Sequence, residues 1–179
     1  MLALIYGGSG SGKSELAEKM LSEMRGSGGP LLYIATMFPD GGESRERIAR
    51  HRSARAHKGF ATIERYTNIE GLTIPDGSRV LLECLGNLVA NELFSPDGAG
   101  GETLNAVLRG LEKMQQSADS VIVVSNDVSS DGVAYPPETE EYRRVLAALN
   151  RSIARGSSLV AETVCGIPLW HKENGAWSA

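Results

Sequence analysis

The sequence has little of what marks membrane, disulfide-rich or disordered proteins. Its 179 residues include only two cysteines and 6% aromatic residues, whereas 41% are hydrophobic and 22% charged. The longest apolar runs, such as residues 121–124, are far shorter than the roughly 18 residues that a membrane-spanning helix needs. Cys84 and Cys165 each lie among apolar neighbours, which fits buried reduced thiols in a cytosolic protein better than a disulfide framework. The composition indicates an ordinary globular protein.

The N-terminus also lacks the features of a secretory signal. Residues 2–6 are apolar, but no basic residue precedes them and they run directly into glycines. No internal repeat and no low-complexity linker divides the chain. Since 179 residues suit one domain, we expect a single domain over residues 1–179, without a membrane span and located in the cytoplasm.

The net charge of −4 conceals a basic segment. From Glu43 to Lys58 the sequence has six Lys or Arg residues against two Glu residues, so this segment carries +4 and the rest of the chain −8. A solvated helix face is the plain explanation, and a binding site for an anion is the alternative. Nucleic acid is not the expected ligand, because the rest of the protein is acidic and no aromatic residue alternates with the arginines.

Strand-like and helix-like patterns alternate along the chain. Apolar residues at helical spacing predict helices over 14–24, 88–94, 103–117 and 138–155, and a weakly amphipathic one over 43–58. Short apolar or alternating runs predict strands over 2–6, 31–36, 62–66, 79–85, 120–125, 158–164 and 167–170. Several strands are nearly continuous in Leu, Ile and Val, which is typical of strands covered on both faces. The sequence therefore predicts an α/β fold with three layers and a mostly parallel central sheet.

A glycine-rich segment follows the first predicted strand and fits the pattern G-x-x-x-x-G-K-S: Gly7, Gly8, Ser9, Gly10, Ser11, Gly12, Lys13 and Ser14. A predicted helix follows it, which is the context in which this pattern binds nucleoside triphosphates. Backbone N–H groups of such a loop converge on phosphate oxygens, and the helix N-terminus adds partial positive charge. We expect Lys13 to reach the β- and γ-phosphates of ATP or GTP, and the Ser14 hydroxyl to bind Mg²⁺.

Two acidic residues follow buried strands at positions suited to the same site. Glu83 comes directly after the apolar residues 80–82, and Asp127 follows residues 121–126. An acidic residue in such a place often only solvates a loop. In a parallel α/β sheet, however, the carboxyl ends of the strands gather around the ligand. We therefore predict Glu83 as a catalytic residue and Mg²⁺ ligand, with Asp127 as a further candidate for the metal.

His51 lies in the middle of the basic segment, between Arg50 and Arg52. Neighbouring guanidinium groups disfavour the protonated imidazole, which keeps the ring neutral and nucleophilic. The same guanidinium groups can bind phosphate oxygens in bidentate fashion. Such a histidine can attack an α-phosphorus and form a phosphoramidate. The plain alternative is a surface histidine.

An ordered set of short motifs carries a resemblance to a known family. After the glycine-rich segment come Y-I-A-T at 33–36, R-I-x-x-H-x-x-x-R at 47–55, T-I-E at 62–64, L-L-E-C at 81–84 and S-N-D-V at 125–128. In this set the chain resembles the bifunctional adenosylcobinamide kinase/adenosylcobinamide-phosphate guanylyltransferase family. The glycine-rich segment alone occurs in many families, whereas the ordered set is specific and spans nearly the whole chain.

The resemblance implies a cytosolic enzyme of coenzyme B12 assembly with a P-loop NTPase (RecA-like) fold and subunits that associate as trimers. In that family ATP or GTP phosphorylates adenosylcobinamide, and GMP is then transferred from GTP to this corrinoid through a GMP-histidine. By motif the histidine is His51, whereas His57 lies off the motif and His171 in a polar C-terminal tail. The implied nucleotide site joins the glycine-rich segment to Ala35, Thr36, Met37, Arg52, Ser53, Ala54, Arg55, Glu64 and Glu83.

Two other functions remain open from the residues themselves. One is a different P-loop small-molecule kinase, in which His51 is only a surface residue and the arginines bind another phosphate acceptor. The other is a regulatory NTP-binding protein that switches a partner interface. In that case residues 38–43 and 129–137 would respond to the γ-phosphate.

Overall fold

The computed structural model describes residues 1–24, 26, 28–39, 58–128 and 132–177, with only the backbone of residues 176 and 177. The predicted helix over 43–58 lies outside these residues except for Lys58. The described strands are β1 (Leu2–Tyr6), β2 (Leu31–Ala35), β3 (Phe60–Glu64), β4 (Ser78–Leu82), β5 (Ala118–Val124), β6 (Leu159–Val164), β7 (Ile167–Glu173) and β8 (Ala176–Trp177). The described α-helices are α1 (Lys13–Glu23), α2 (Leu85–Phe94), α3 (Thr103–Ser117) and α4 (Pro137–Gly156).

All eight strands form one sheet in the order β3-β2-β4-β5-β1-β6-β7-β8. The strands β1 to β6 pair in parallel, and β7 and β8 pair antiparallel at one edge. The glycine-rich segment leaves the sheet from β1, which has β5 on one side and β6 on the other. Since the strands are parallel, the loops that follow β1, β4 and β5 lie at the same edge.

Helices cover both faces of the sheet. On one face, Ala17 and Leu21 of α1 pack with Ile5 of β1 and Ile122 of β5. On the other face, α2, α3 and α4 pack against alternate residues of the same strands, such as Leu4 of β1. This arrangement confirms the predicted three-layer α/β fold with a mostly parallel sheet. None of the described helices is both long and apolar enough to span a bilayer.

Several local expectations are wrong. The predicted strand 79–85 ends at Leu82, and Leu85 begins α2, because the Cys84 Sγ accepts a hydrogen bond from the Asn87 N–H at 3.4 Å and caps the helix. Cys165 is exposed rather than buried, since it lies with φ 50° in the β6–β7 turn, and Cys84 is only half-buried. The last long strand extends to Glu173, so His171 lies in the sheet and not in a tail.

Candidate active site

The glycine-rich segment connects β1 to α1 and contacts the strands on both sides. The Asp127 N–H, after β5, donates to the Gly7 carbonyl at 3.1 Å. The Gly166 N–H, in the β6–β7 turn, donates to the Ser11 carbonyl at 2.9 Å. These two bonds fix the loop in the middle of the carboxyl edge of the sheet.

Gly12 shows why glycine is needed just before α1. Its φ is 93°, and a Cβ atom on it would lie 3.2 Å from the Gly166 Cα. A side chain would therefore be strained and would also crowd the β6–β7 turn. The N-cap residue Gly12 has no side chain that could cap α1, so the N-cap residue leaves the first N–H groups of the helix open to an anion.

Lys13 is the first residue of α1 and is 8% exposed. Its Nζ donates a hydrogen bond to the Gly8 carbonyl, so the side chain folds back over the loop. A buried ammonium group needs such acceptors, because an unpaired charge inside a protein is costly. The predicted phosphate-binding lysine thus lies against the loop to which the phosphates are expected to bind, and half-buried Ser14 follows it in α1.

Glu83 and Asp127 lie at the same edge of the sheet as the glycine-rich segment. Glu83 is half-buried after β4, where its N–H donates to the Ile34 carbonyl at 3.0 Å. Asp127 is exposed and follows β5, the strand that separates β4 from β1. The strand order therefore places both predicted carboxylates on the same side of the loop.

The loops after β2 and β3 are joined by one asparagine of α2. The Asn91 Nδ2 donates to the Thr36 carbonyl at 2.8 Å and to the Tyr66 carbonyl at 3.0 Å. Thr36 is fully buried, and its hydroxyl donates to the Cys84 carbonyl at 2.9 Å. Thr36 therefore links the ends of β2 and β4, both of which belong to the predicted site.

Glu64, the last residue of β3, lies beside this junction. Its carboxylate accepts a hydrogen bond from the Tyr66 hydroxyl at 2.9 Å. The Tyr66 ring stacks on Phe38 at a centroid distance of 4.5 Å, one residue after the predicted Met37. The Ala35 carbonyl accepts from the Arg65 N–H at 2.9 Å. The structure thus brings the predicted residues 35–37 and Glu64 together.

His51, the central residue of the predicted mechanism, lies outside the described residues. The same is true of four predicted nucleotide-binding residues, Arg52, Ser53, Ala54 and Arg55. The roles of all five residues stay predictions. Lys58, the last residue of the basic segment, is described, and its Nζ lies 2.6 Å from the Glu18 Oε2 of α1. The segment therefore rejoins the described structure beside the helix that begins with Lys13.

Comparison with known proteins gives the family. The sequence profile of CobU, described as cobinamide kinase / cobinamide phosphate guanyltransferase, matches residues 3–170. The chain belongs to the CobU family. Over 184 residues it is 30% identical to the bifunctional adenosylcobalamin biosynthesis protein CobU of Escherichia coli, covering 93% of this chain and 97% of that protein. Over 173 residues it is 32% identical to the bifunctional adenosylcobalamin biosynthesis protein CobP of Pseudomonas aeruginosa, covering 94% and 96%.

The fold of this CobU-family chain is also similar to that of a solved structure. The flagellar accessory protein FlaH from Methanocaldococcus jannaschii superposes with a TM-score of 0.51 over 99% of this chain and 81% of that protein. The sequence identity is only 12%, so this likeness concerns the fold alone. Together with the glycine-rich segment, it confirms the predicted P-loop NTPase fold.

The CobU-family chain also has a polar cluster that the sequence did not predict. The Tyr6 hydroxyl, directly before Gly7, lies 3.3 Å from the His171 Nε2 of β7. The same nitrogen lies 3.4 Å from the Glu162 Oε2 of β6. Burial, followed by the Glu162 and Asp127 carboxylates, raises the pKa of Tyr6. Tyr6 and His171 are 165 positions apart, so no local pattern could have revealed this cluster.

Proposed function

We propose that this protein phosphorylates adenosylcobinamide with ATP or GTP and then transfers GMP from GTP to the product, which gives adenosylcobinamide-GDP. One observation carries the proposal. In a chain of the CobU family, the glycine-rich segment, Glu83 and Asp127 lie at one edge of the sheet. A single nucleotide site in a single domain would then serve both reactions.

The first reaction is a phosphoryl transfer. The hydroxyl of the acceptor attacks the γ-phosphorus, the bond from this phosphorus to the β–γ bridging oxygen breaks, and the nucleoside diphosphate leaves. Lys13 would stabilise the negative charge on the phosphoryl oxygens, because it lies buried against the loop. Glu83 would accept the hydroxyl proton at its carboxylate.

Ser14 and Glu83 fit the Mg²⁺ that such a reaction uses, with Asp127 as a further ligand. Mg²⁺ in nucleotide sites is held by one or two protein oxygens together with phosphates and water. When bound, the ion neutralises charge on the β- and γ-phosphates.

The second reaction is a nucleotidyl transfer through His51. A ring nitrogen of His51 attacks the α-phosphorus of GTP, the bond to the α–β bridging oxygen breaks, and pyrophosphate leaves. A phosphate oxygen of the phosphorylated corrinoid then attacks the same phosphorus. The nitrogen–phosphorus bond breaks, which restores the neutral imidazole and forms the new diphosphate linkage. Arg52 and Arg55 would bind the phosphate oxygens during both steps.

The test is labelling of the protein with GTP that carries the label at the α-phosphate. We expect base-stable, acid-labile label on the wild-type protein and on the His57→Ala and His171→Ala variants, and none on His51→Ala. Phosphorylated cobinamide should release the label as cobinamide-GDP. Label that persists in His51→Ala would contradict the histidine step, and γ-phosphate transfer to a non-corrinoid acceptor without covalent nucleotide would favour another kinase.

The family resemblance further predicts association as a homotrimer and action in the cytoplasm. Sedimentation equilibrium of the purified chain measures the first, and cell fractionation the second. A monomer that carries out both reactions would contradict the trimer without affecting the chemistry.

A further inference from the structure

A cavity of about 490 Å³ lies between α4 and the sheet, on the face opposite α1. Its apolar walls come from Leu4 of β1, Val160 of β6, and Ala147 and Ala154 of α4. The volume is within the range of small-molecule sites. Among the described residues of the predicted nucleotide and metal site, only Asp127 lines the cavity.

The cavity lies next to the phosphate-binding loop. Tyr6, which lines it, directly precedes Gly7. Asp127 also lines it, and its N–H donates to the Gly7 carbonyl at 3.1 Å. A molecule that occupies the cavity would therefore have its near end beside the nucleotide.

Asn150 lines the cavity, and its side-chain acceptor is closed off from solvent. Its Oδ1 is buried, and within the described part of the chain it has no hydrogen-bond partner. Buried acceptors are normally paired, because leaving one without a donor lowers stability. One position along α4, Arg151 is exposed and lines the same cavity. The cavity is thus lined by one guanidinium donor and by Asn150, whose unpaired acceptor a rotation of the side chain would turn into the cavity.

An apolar strip continues from the cavity along the same face of the sheet. It consists of Val164, Ile167 and Leu169, which are 44%, 64% and 48% exposed. In the β6–β7 ladder Val164 pairs with Ile167, and Leu169 pairs with Glu162, which faces the same side as Tyr6. Exposed large apolar residues that are contiguous mark binding surfaces more often than residues scattered singly.

We propose that the corrinoid acceptor binds on this face, with its macrocycle on the strip and one carboxamide arm in the cavity. The proposal rests on the proposed function and names where its acceptor binds. A corrinoid joins a flat, largely apolar macrocycle to carboxamide arms, and each arm has both N–H donors and a carbonyl acceptor. The arm would donate to the Asn150 Oδ1 after the Asn150 side chain has turned into the cavity, and it would accept from Arg151. A cavity of about 490 Å³ holds an arm rather than the whole macrocycle.

The first test replaces Asn150 by Leu and measures binding of dicyanocobinamide by its absorbance, together with the KM for cobinamide. We expect the dissociation constant and the KM to rise about tenfold. Labelling by α-labelled GTP alone should stay within about twofold of wild type, since that half-reaction uses no corrinoid. The melting temperature should not fall, because leucine removes an unpaired buried acceptor. Asn150→Asp, which keeps an acceptor oxygen, should bind cobinamide better than Asn150→Leu.

Two matched pairs of variants test the role of Arg151 at the cavity and the role of the apolar strip. Arg151→Ala should weaken cobinamide binding, whereas Arg144→Ala should not, because Arg144 lies on the same helix, is 72% exposed and does not line the cavity. Ile167→Thr should weaken binding several-fold, whereas Phe94→Thr, which removes another exposed large apolar residue, on α2, should not.

Equal cobinamide binding by wild type, Asn150→Leu and Ile167→Thr would overturn the proposal. The proposal would also be overturned if these variants needed more GTP for half-maximal labelling but bound cobinamide as wild type does. That result would assign the cavity to the nucleotide. The proposed function fails in a different way, namely when the wild-type protein neither binds nor converts cobinamide. The two failures are therefore distinguishable.

Discussion

The backbone carbonyl oxygen of Thr163 lies 2.5 Å from the position that a Cβ atom on Gly7 would occupy. Gly7 also has a φ of 148°, a conformation that favours glycine. The end of β6 thus leaves no room for a side chain at the first residue of the phosphate-binding loop. We predict that Gly7→Ala shifts the loop, weakens GTP binding more than tenfold, and costs roughly 1–3 kcal/mol of unfolding free energy.

Gly8→Ala is the matched control for this prediction. A Cβ atom on Gly8 has no neighbour within 4 Å, and its φ is not positive. Calorimetric titration with GTP measures the loss of binding in Gly7→Ala, and urea unfolding should give a value close to wild type for Gly8→Ala. Equal effects of the two substitutions would show that the contact with Thr163 is not what requires glycine at position 7.

The ion pair between Lys58 and Glu18 ties the end of the basic segment to α1. Their charged atoms are 2.6 Å apart, and the Glu18 side chain is only 8% exposed. Removing Lys58 leaves a nearly buried carboxylate without its cation, which we expect to cost roughly 1–2 kcal/mol in Lys58→Met, since Lys58 is itself partly exposed. We also expect GMP labelling to slow by about three- to tenfold, because the segment that carries His51 is less well positioned.

Lys19→Met is the control, since Lys19 is an exposed residue of the same helix. It should change neither the urea midpoint nor the labelling rate. The double variant Lys58→Met/Glu18→Gln should be more stable than the sum of the two single losses predicts, because neither partner is then left charged. Additive losses would mean that the two residues act independently.

The burial of Tyr142 predicts a pH dependence of stability on the alkaline side. Burial, and to a smaller degree the charge of Cys84, raise the pKa of Tyr142 from 10.0 to about 12. Between these values the folded protein keeps a proton that the unfolded chain has lost. The stabilisation is therefore present below about pH 10 and is lost as the pH rises towards 12. Tyr142→Phe should lose less unfolding free energy between about pH 9 and 11 than wild type does.

The Tyr142→Phe variant should still lose some unfolding free energy at alkaline pH, because the pKa of Tyr6 is raised as well. Unfolding in urea at several pH values measures how the unfolding free energy changes with pH. The same change in Tyr142→Phe and wild type would show that the Tyr142 hydroxyl does not cause the alkaline loss of stability.

The sequence predicted the fold well where the signal is local. The glycine-rich segment needs only eight consecutive residues, and the helix over Thr103–Ser117 follows from its own apolar spacing. The sequence could not predict where β4 ends, because the apolar residues Cys84 and Leu85 follow Leu82 with only Glu83 between them, whereas in the structure Cys84 caps α2. Hydrophobicity alone does not distinguish the end of a buried strand from the buried first turn of a helix.

The sequence predicted the position of a site residue only where that residue comes shortly after a strand in the chain. Glu83 and Asp127 could be placed beside the loop because parallel strands end at one edge. His171 could not be, since its contact with Tyr6 depends on the pairing of β7 with β6 and of β6 with β1. Asn150 carries no sequence signal either, because a polar residue on a long helix usually faces solvent.

The two hydrogen bonds of Asn91 predict which substitutions at this position reduce stability and GTP binding most. Its Nδ2 donates to the carbonyls of Thr36 and Tyr66, so Asn91→Leu loses both bonds and leaves two carbonyls without this donor. We expect a loss of roughly 1–3 kcal/mol of unfolding free energy and weaker GTP binding. Asn91→Asp should be worse, because a carboxylate would face the same two carbonyl oxygens.

Asn105→Ala is the control for this order, since within the described residues the Asn105 Nδ2 donates to the exposed Glu102 alone, at 3.1 Å. Urea unfolding and GTP titration of Asn91→Leu, Asn91→Asp and Asn105→Ala test this order. If Asn91→Asp is as stable as wild type, the amide is not the donor that joins the two loops. If Asn91→Leu loses stability but binds GTP normally, the loops after β2 and β3 are tied for folding alone, and Glu64 and residues 35–37 lie outside the nucleotide site.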